Sequence, residues 1–343
     1  MSIVGGFDVH RRQITFDYLD ADTGRVYRGR IAPACRAVLC RWLAERFASR
    51  TDVQFAVEAC TGWRFVVEEC ERAGIEVSLA EPADTAAARG RKRRAKTDSA
   101  DSAHLRELLA GGRLPTSWIP PGQVREMRAM LELYKDLRDE HTAWVQRIHA
   151  TLFHQGVPGL GTGGVTSAAG RARLEAGEGL SPAGCQAVAV ALRVLDALDT
   201  ELDALHRQIR TFAHRQPGCT ALRVQYGVGP ITSATIWAMM GDTRRFSASR
   251  QAVRHTGLDV TVYSSDGKCA PGHLAKQGPP LLRWALYEAA CLASHTRAPD
   301  HDYYTGVKDR IDHKRATVSV ARKIARRSHH ILRELGEQAY AAA

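Results

Sequence analysis

Apolar and polar residues alternate along three short runs near the start of the chain. Residues 3–8 (IVGGFD), 13–19 and 25–31 carry the two-residue period of strands, and the HRR and DADTG breaks between them are turn-like. The period then lengthens. Val38, Leu39, Trp42, Leu43 and Phe47 recur at helical spacing and predict a helix over 34–48. Residues 53–58 (VQFAVE) predict a fourth strand, 62–73 a helix, IEVSLA a fifth strand and 97–110 another helix. Further on, Met127, Met130, Tyr134, Leu137, His141, Trp144, Ile148 and Leu152 predict one long helix over 121–155. Val188, Leu192, Leu195, Leu198, Leu202, Leu205, Ile209 and Phe212 predict a second over 182–214. Both patterns suit coiled-coil seams. The two helices either pack on each other as an antiparallel hairpin or pair with another protomer.

The order β-β-β-α-β-α-β followed by a helix is that of the RNase H-like, RuvC-like nuclease fold. In that arrangement Asp8 and Glu58 end two neighbouring strands. Asp98 and Asp101, in KTDSAD, are three apart and share one helix face. Singly, an Asp at a strand end is a turn former, and one at a helix start is an N-cap. Jointly, four hard carboxylates suit Mg²⁺ or Mn²⁺. Two such ions, about 3.5–4 Å apart, activate an attacking oxygen and stabilise a leaving one in phosphoryl transfer. Asp17, Asp20, Asp22, Glu68, Glu69 and Glu71 read as solvated surface or turn residues.

Directly before Asp98 runs RGRKRRAK, six basic residues in eight: Arg89, Arg91, Lys92, Arg93, Arg94 and Lys96. Beside a metal site such a run suits phosphate contacts that position nucleic acid without reading its sequence; as a bare charge run it is a solvated loop. The whole chain of 343 residues carries a formal charge of +11, which favours a polyanionic partner. No apolar run approaches the ~20 residues that span a bilayer, and MSIVGGFD lacks a signal-peptide pattern, so a cytoplasmic protein is expected. Eight cysteines form no CxxC and no zinc spacing, and are expected as free, mostly buried thiols.

Between the long helices lies VPGLGTGGVTSAAG. No strand precedes its glycines and no Gly-Lys-Ser/Thr follows, so a flexible connection is expected rather than a nucleotide loop. Gly227-Val228-Gly229-Pro230, ahead of an apolar helix, reads as half of a helix-hairpin-helix element, where glycines let the backbone approach a phosphate, or as an ordinary interhelical turn. Periodicity is lost from Asp259 to Pro280, which predicts an exposed loop containing Ser264, Ser265 and Asp266-Gly267-Lys268. Lys268, His273, Lys276 and Arg283 are candidate phosphate ligands there. The helix from Lys308 to Arg333 is rich in Lys and Arg and offers a second such surface.

These stretches together resemble the DEDD transposases of the IS110 insertion-sequence family over nearly the whole length. The resemblance rests on GFDVH, VEACTGW, KTDSADSAHL, YGVGPITSATIWAMMGD, RHTGL and SSDGK…GHLAKQGPPLLRWAL. It implies a RuvC-like DEDD domain and a mostly helical transposase domain with a catalytic serine; with the helical coiled-coil spacer read above, the expected division is 1–115, 116–218 and 219–343. It further implies a serine that attacks the DNA backbone, donor and target DNA as substrates, a structured bridge RNA as guide, and dimers and tetramers in a bacterial, nucleoid-associated setting. Ser265 is the better match to the family serine and Ser264 is close behind, since the glycine that usually follows is displaced by Asp266. A RuvC-type junction nuclease, in which metal-bound water attacks, is the alternative reading.

Overall fold

A computed structural model describes residues 2–48, 50–89, 97–261, 263–265, 268–270 and 272–341, of which 263–265 and 268–270 are described by backbone alone. Two compact units divide between Ile119 and Pro120.

The first unit is built on a six-stranded mixed sheet. Its elements run β1 (Ile3–Val9), β2 (Ile14–Asp20), β3 (Arg25–Ile31), α1 (Arg36–Phe47), β4 (Val53–Glu58), α2 (Trp63–Arg72), β5 (Glu76–Ala80), α3 (Pro82–Ala88), α4 (Asp98–Ala110) and β6 (Thr116–Ser117). The sheet order is β3-β2-β1-β4-β5-β6. β1 pairs antiparallel with β2 and parallel with β4, and β4 pairs parallel with β5. The strands and helices expected up to residue 110 are present; α3 and β6 are additional.

β1 reads IVGGFDV, and its alternation assigns each sheet face a different task. Ile3, Phe7 and Val9 join the main core with Leu39, Trp42, Leu43 and Phe47 of α1 and Val66, Val67 and Cys70 of α2. Phe7 and Phe55 stack at 4.2 Å there. Gly5 makes room for that stack, because a Cβ at residue 5 would stand 2.2 Å from the Phe55 ring. The opposite face carries Gly6 and Asp8. Here α4 lies on the sheet over a small-residue surface of Ala56 and Ala80, into which Leu105 packs. A Cβ at Gly6 would meet the Ser102 carbonyl oxygen at 2.2 Å, so the bare glycine is what lets α4 come this close.

Asp17 corrects the solvated reading. It is fully buried on β2, opposite Gly6, and accepts from Arg28 Nε at 2.7 Å and from Arg106 Nε of α4 at 2.5 Å. Glu69 is also buried, held by Arg36 and Arg72. Local sequence pattern hides both, because Arg106, which pairs with Asp17, and Arg36, which pairs with Glu69, come from elements distant in sequence.

The second unit is helical: α5 (Gly122–His154), α6 (Ala168–Ala176), α7 (Pro182–Arg215), α8 (Pro217–Leu222), α9 (Pro230–Met240), α10 (Ser249–Thr256), the short strands β7 (Tyr263–Ser265) and β8 (Lys268–Ala270), α11 (Pro280–Cys291), α12 (His301–Arg310) and α13 (His313–Leu335). α5 and α7 pack on one another within the chain, through Ile148 and Leu152 against Val188, Ala191, Leu192 and Leu195. His141 of α5 reaches Asp199 of α7 at 3.2 Å. The connection between them is not a free linker: α6, capped by Ser167, and a short turn at 164–166 bury Leu174 and Val165 in the same cluster. α9 is buried on all sides from Ser233 to Met240, with Trp237 Nε1 donating to the Ala339 carbonyl at 2.7 Å.

Candidate metal centre

Parallel pairing brings two of the acids to one edge. The β1–β4 register runs from Ile3↔Val53 to Phe7↔Val57, so Asp8 and Glu58 are the next residues on each strand. Asp8 projects on the α4 face, two residues beyond Gly6. α4 begins above that edge, because Gly6 sets its height and the Asp17–Arg106 ion pair anchors its body. Thr97 caps the helix by accepting from the Ala100 amide at 3.2 Å, which leaves Asp98 and Asp101 in the first turn. Amides at a helix start favour negative charge there.

Asp98 lies with Asp8. One carboxylate oxygen from each and one nitrogen of His10 all lie within 4.8 Å of one another. His10 Nε2 stands 3.1 Å from Asp8 Oδ2 and 3.4 Å from Asp98 Oδ1. Gln13 Nε2 donates to the other Asp98 oxygen, Oδ2, at 3.2 Å. Asp101 Oδ1 is paired with Arg89 Nη1 at 2.5 Å.

Electrostatics ties the cluster together. Burial pushes the Asp8 carboxyl above the usual carboxylate range; His10 opposes this, and the charges of Asp101 and Asp98 push the same way as burial. Burial likewise pushes the Cys60 thiol up, with the charges of Glu58 and Asp8 adding to it. A cation would neutralise the charge that crowds Asp8 at this partly buried edge, so the residues present fit a divalent metal. The donor set is mainly hard oxygen, which suits Mg²⁺ or Mn²⁺.

Two participants escaped the sequence reading: His10 and Gln13. His10 follows Asp8 by two residues in GFDVH, which is the spacing of one strand face, and that signal was available. Of the basic run, Arg89 is the described member, at the C-cap of α3; Arg91, Lys92, Arg93, Arg94 and Lys96 lie outside the described residues.

In the second unit the expected loop after Asp259 carries a hairpin ladder. Tyr263 pairs with Ala270, Ser264 with Cys269 and Ser265 with Lys268. Asp266 and Gly267, between the paired ends, lie outside the described residues. Below the ladder, the Thr261 amide donates to the His273 carbonyl and the Ala275 amide to that of Asp259, both at 2.9 Å. Arg283 Nη1 donates to the Gly278 carbonyl at 2.7 Å, so this candidate phosphate ligand also braces the base of the arm. Lys276 is exposed and has a left-handed backbone, φ 54°. Gly227 has φ 83°, and its Cβ would stand 2.5 Å from the Ala289 carbonyl; its close approach is to α11 of its own chain. Gly229, the N-cap of α9, has open space where a Cβ would be.

On α13, Arg322 Nε donates to the Leu258 carbonyl at 2.6 Å and Arg333 Nη1 to that of Phe246 at 2.7 Å. Lys323 and Arg327 bind Asp300 at 2.8 and 2.6 Å. Part of the basic tail therefore holds the unit together. Among the described residues the cysteines are free thiols; Cys70 and Cys219 are buried, whereas Cys40 is exposed and Cys35, Cys60, Cys185 and Cys291 are half-buried, against the expectation of mostly buried thiols.

Known families match on both sides of the unit boundary. A DEDD-type IS110 transposase profile matches residues 5–154, which include Asp8, Glu58, Asp98 and Asp101. A profile described as transposase IS116/IS110/IS902 family matches residues 219–305, which include Ser264 and Ser265. The chain belongs to the IS110 transposase family. A Sinorhizobium fredii protein carrying the name transposase y4rJ is 30% identical over 240 residues, 64% of this chain and 60% of that one. The transposase for insertion sequence element IS1111A of Coxiella burnetii is 29% identical over 144 residues, 39% of this chain and 40% of that one. The chain thus spans about half the length of the relatives it matches. Among the described residues, no helix of this IS110-family chain is long and apolar enough to cross a membrane.

Proposed function

We propose that this chain is a DNA transposase that cuts and rejoins strands through a metal-assisted serine attack. The observation that carries the reading is the meeting of Asp8 and Asp98, with His10, at the edge where Glu58 ends the neighbouring strand, within a match to a DEDD transposase profile. The sheet order and the helix laid over its acid edge support a RuvC-like domain. The three-part organisation, 1–115, 116–218 and 219–343, belongs to the same proposal.

In this reading Asp8, Glu58, Asp98 and Asp101 hold Mg²⁺ or Mn²⁺. The cation, when bound, neutralises charge on the scissile phosphate. Ser265, or its neighbour Ser264, attacks phosphorus through its hydroxyl oxygen. A phosphorus–oxygen bond of the DNA backbone breaks, the departing strand leaves as a free hydroxyl, and the serine proton passes to solvent or base. Attack by a partner strand's hydroxyl on the phosphoserine reverses the step, so bond energy is conserved without ATP. Arg89, the basic residues after it, Gly229, Lys268, Lys276 and Arg283 would contact nucleic acid, and the formal charge of +11 supports such contacts. Donor and target DNA are the substrates, a structured bridge RNA is the guide, and homodimers or homotetramers bring the ends together in a cytoplasmic, nucleoid-associated setting.

A covalent-adduct assay tests this. Full-length protein, Mg²⁺, RNA transcribed from the element's own non-coding sequence, and labelled target DNA are combined and run on denaturing gels. A labelled protein band that disappears in Ser265→Ala establishes the nucleophile. Disappearance in Ser264→Ala instead moves the role by one residue. Cleaved DNA without adduct in every lane favours the RuvC-type nuclease, in which water attacks.

A further inference from the structure

His10 stands where the four-acid reading leaves no role for it. It lies just past the end of β1, about half exposed, with no core to fill. Its Nε2 nonetheless faces two carboxylates brought from different elements, Asp8 at 3.1 Å and Asp98 at 3.4 Å. An ordinary surface His–Asp contact involves one acid and contributes little; this one bridges two. Gln13 donates to Asp98 Oδ2 at 3.2 Å, which turns the opposite oxygen, Oδ1, toward His10.

The spacing is that of ligands on one ion. Metal–ligand bonds of about 2.1 Å place any two donors on one ion within about 4.2 Å of each other. Both imidazole–carboxylate distances fall inside that limit. A nitrogen donor also changes which ion is favoured. Carboxylates suit Mg²⁺ and Mn²⁺ alike, whereas imidazole suits transition ions, and Mg²⁺ gives up its waters reluctantly.

We infer that His10 is a direct ligand of the cation held by Asp8 and Asp98, and that its imidazole tilts this centre toward Mn²⁺ over Mg²⁺. The inference rests on the acid cluster being a metal site.

Pulsed electron paramagnetic resonance on the full chain with MnCl₂ alone reads the ligand directly. Wild type is expected to show a ¹⁴N coupling from directly bound imidazole. His10→Ala and His10→Asn are expected to lose that coupling while still binding Mn²⁺, at least about tenfold more weakly. Competition titration is expected to show Mg²⁺ affinity changing far less than Mn²⁺ affinity in the same variants. Mn²⁺ that binds, is lost in Asp8→Asn, and shows no ¹⁴N coupling would overturn the role of His10 and leave the acid site standing. Mn²⁺ binding that is absent, or indifferent to Asp8→Asn, would remove the acid site itself and the inference with it. Exposure of His10 makes both variants compatible with folding, and circular dichroism melting checks this.

Discussion

Gly6 on β1 and Ser102 on α4 are in backbone contact, so that a Cβ added at residue 6 would stand 2.2 Å from the Ser102 carbonyl oxygen. The contact links the sheet to the helix that carries Asp98 and Asp101. Gly6→Ala must push α4 off the sheet or distort it. Overpacking of this kind costs about 1–3 kcal/mol. The expected result is a lower urea midpoint together with weaker Mn²⁺ binding, although residue 6 touches no ion. Unchanged metal affinity would show that α4 does not set the acid geometry.

Asp17 leads to a second test. It is fully buried and shared by Arg106 and the more exposed Arg28. Removing one partner of a buried ion pair costs about 3–5 kcal/mol, because the charge left behind has no water. Arg106→Met is therefore expected to destabilise the first unit by about 3 kcal/mol, and adding Asp17→Asn should recover part of the loss. Equilibrium urea unfolding of the single and double variants measures both numbers. Strictly additive losses would count against direct coupling.

The contrast between these two anchors explains what could be read from the chain beforehand. The sheet and its main helices were legible because Ile3, Phe7, Val9, Leu39 and Leu43 follow strand and helix periods closely. The positions of Glu58 at the end of β4 and Asp98 at the start of α4 were legible because the strand and helix patterns stop and begin there. Asp17 was not, since its partner Arg106 is 89 residues away and nothing in ITFDYLD marks a charge as buried. α6 was hidden by the glycines before it, although Val165 and Leu174 supply just enough apolar surface to dock it on α5 and α7. His10 carried the right spacing but sits past a strand end, where a polar residue is ordinarily a turn.

Acid should loosen the second unit through His255. Burial, reinforced by the nearby Arg245 guanidinium, holds its imidazole down to about 4, against an ordinary value of 6.5. Nε2 lies 3.2 Å from the Met239 carbonyl and 3.1 Å from Arg245 Nη2. A depressed folded-state value means that the unfolded chain binds the proton first. The contribution to stability is then complete above pH 6.5 and lost as pH falls toward 4, with a limiting slope of about 1.4 kcal/mol per pH unit. His255→Gln should flatten that part of the stability profile. A wild-type profile that stays level between those limits would contradict this burial-driven shift.

The two glycines before α9 are expected to answer differently to the same substitution. Gly227 combines a left-handed backbone, φ 83°, with a Cβ position 2.5 Å from the Ala289 carbonyl. Gly227→Ala meets both strain and a clash with α11, so a loss of about 2 kcal/mol or more is expected, read as a lower melting temperature. Gly229 is the N-cap of α9, extended, with nothing within 4 Å of the point a Cβ would occupy. Gly229→Ala should cost no more than about 1 kcal/mol, the scale of N-cap preferences. A methyl group there would still keep a phosphate from the amides that open α9. If this turn holds the DNA or RNA backbone, Gly229→Ala should weaken nucleic-acid binding several-fold in a fluorescence anisotropy titration while its melting temperature barely moves. Equal binding by Gly229→Ala and wild type would return the turn to a purely architectural role, the one Gly227 already serves.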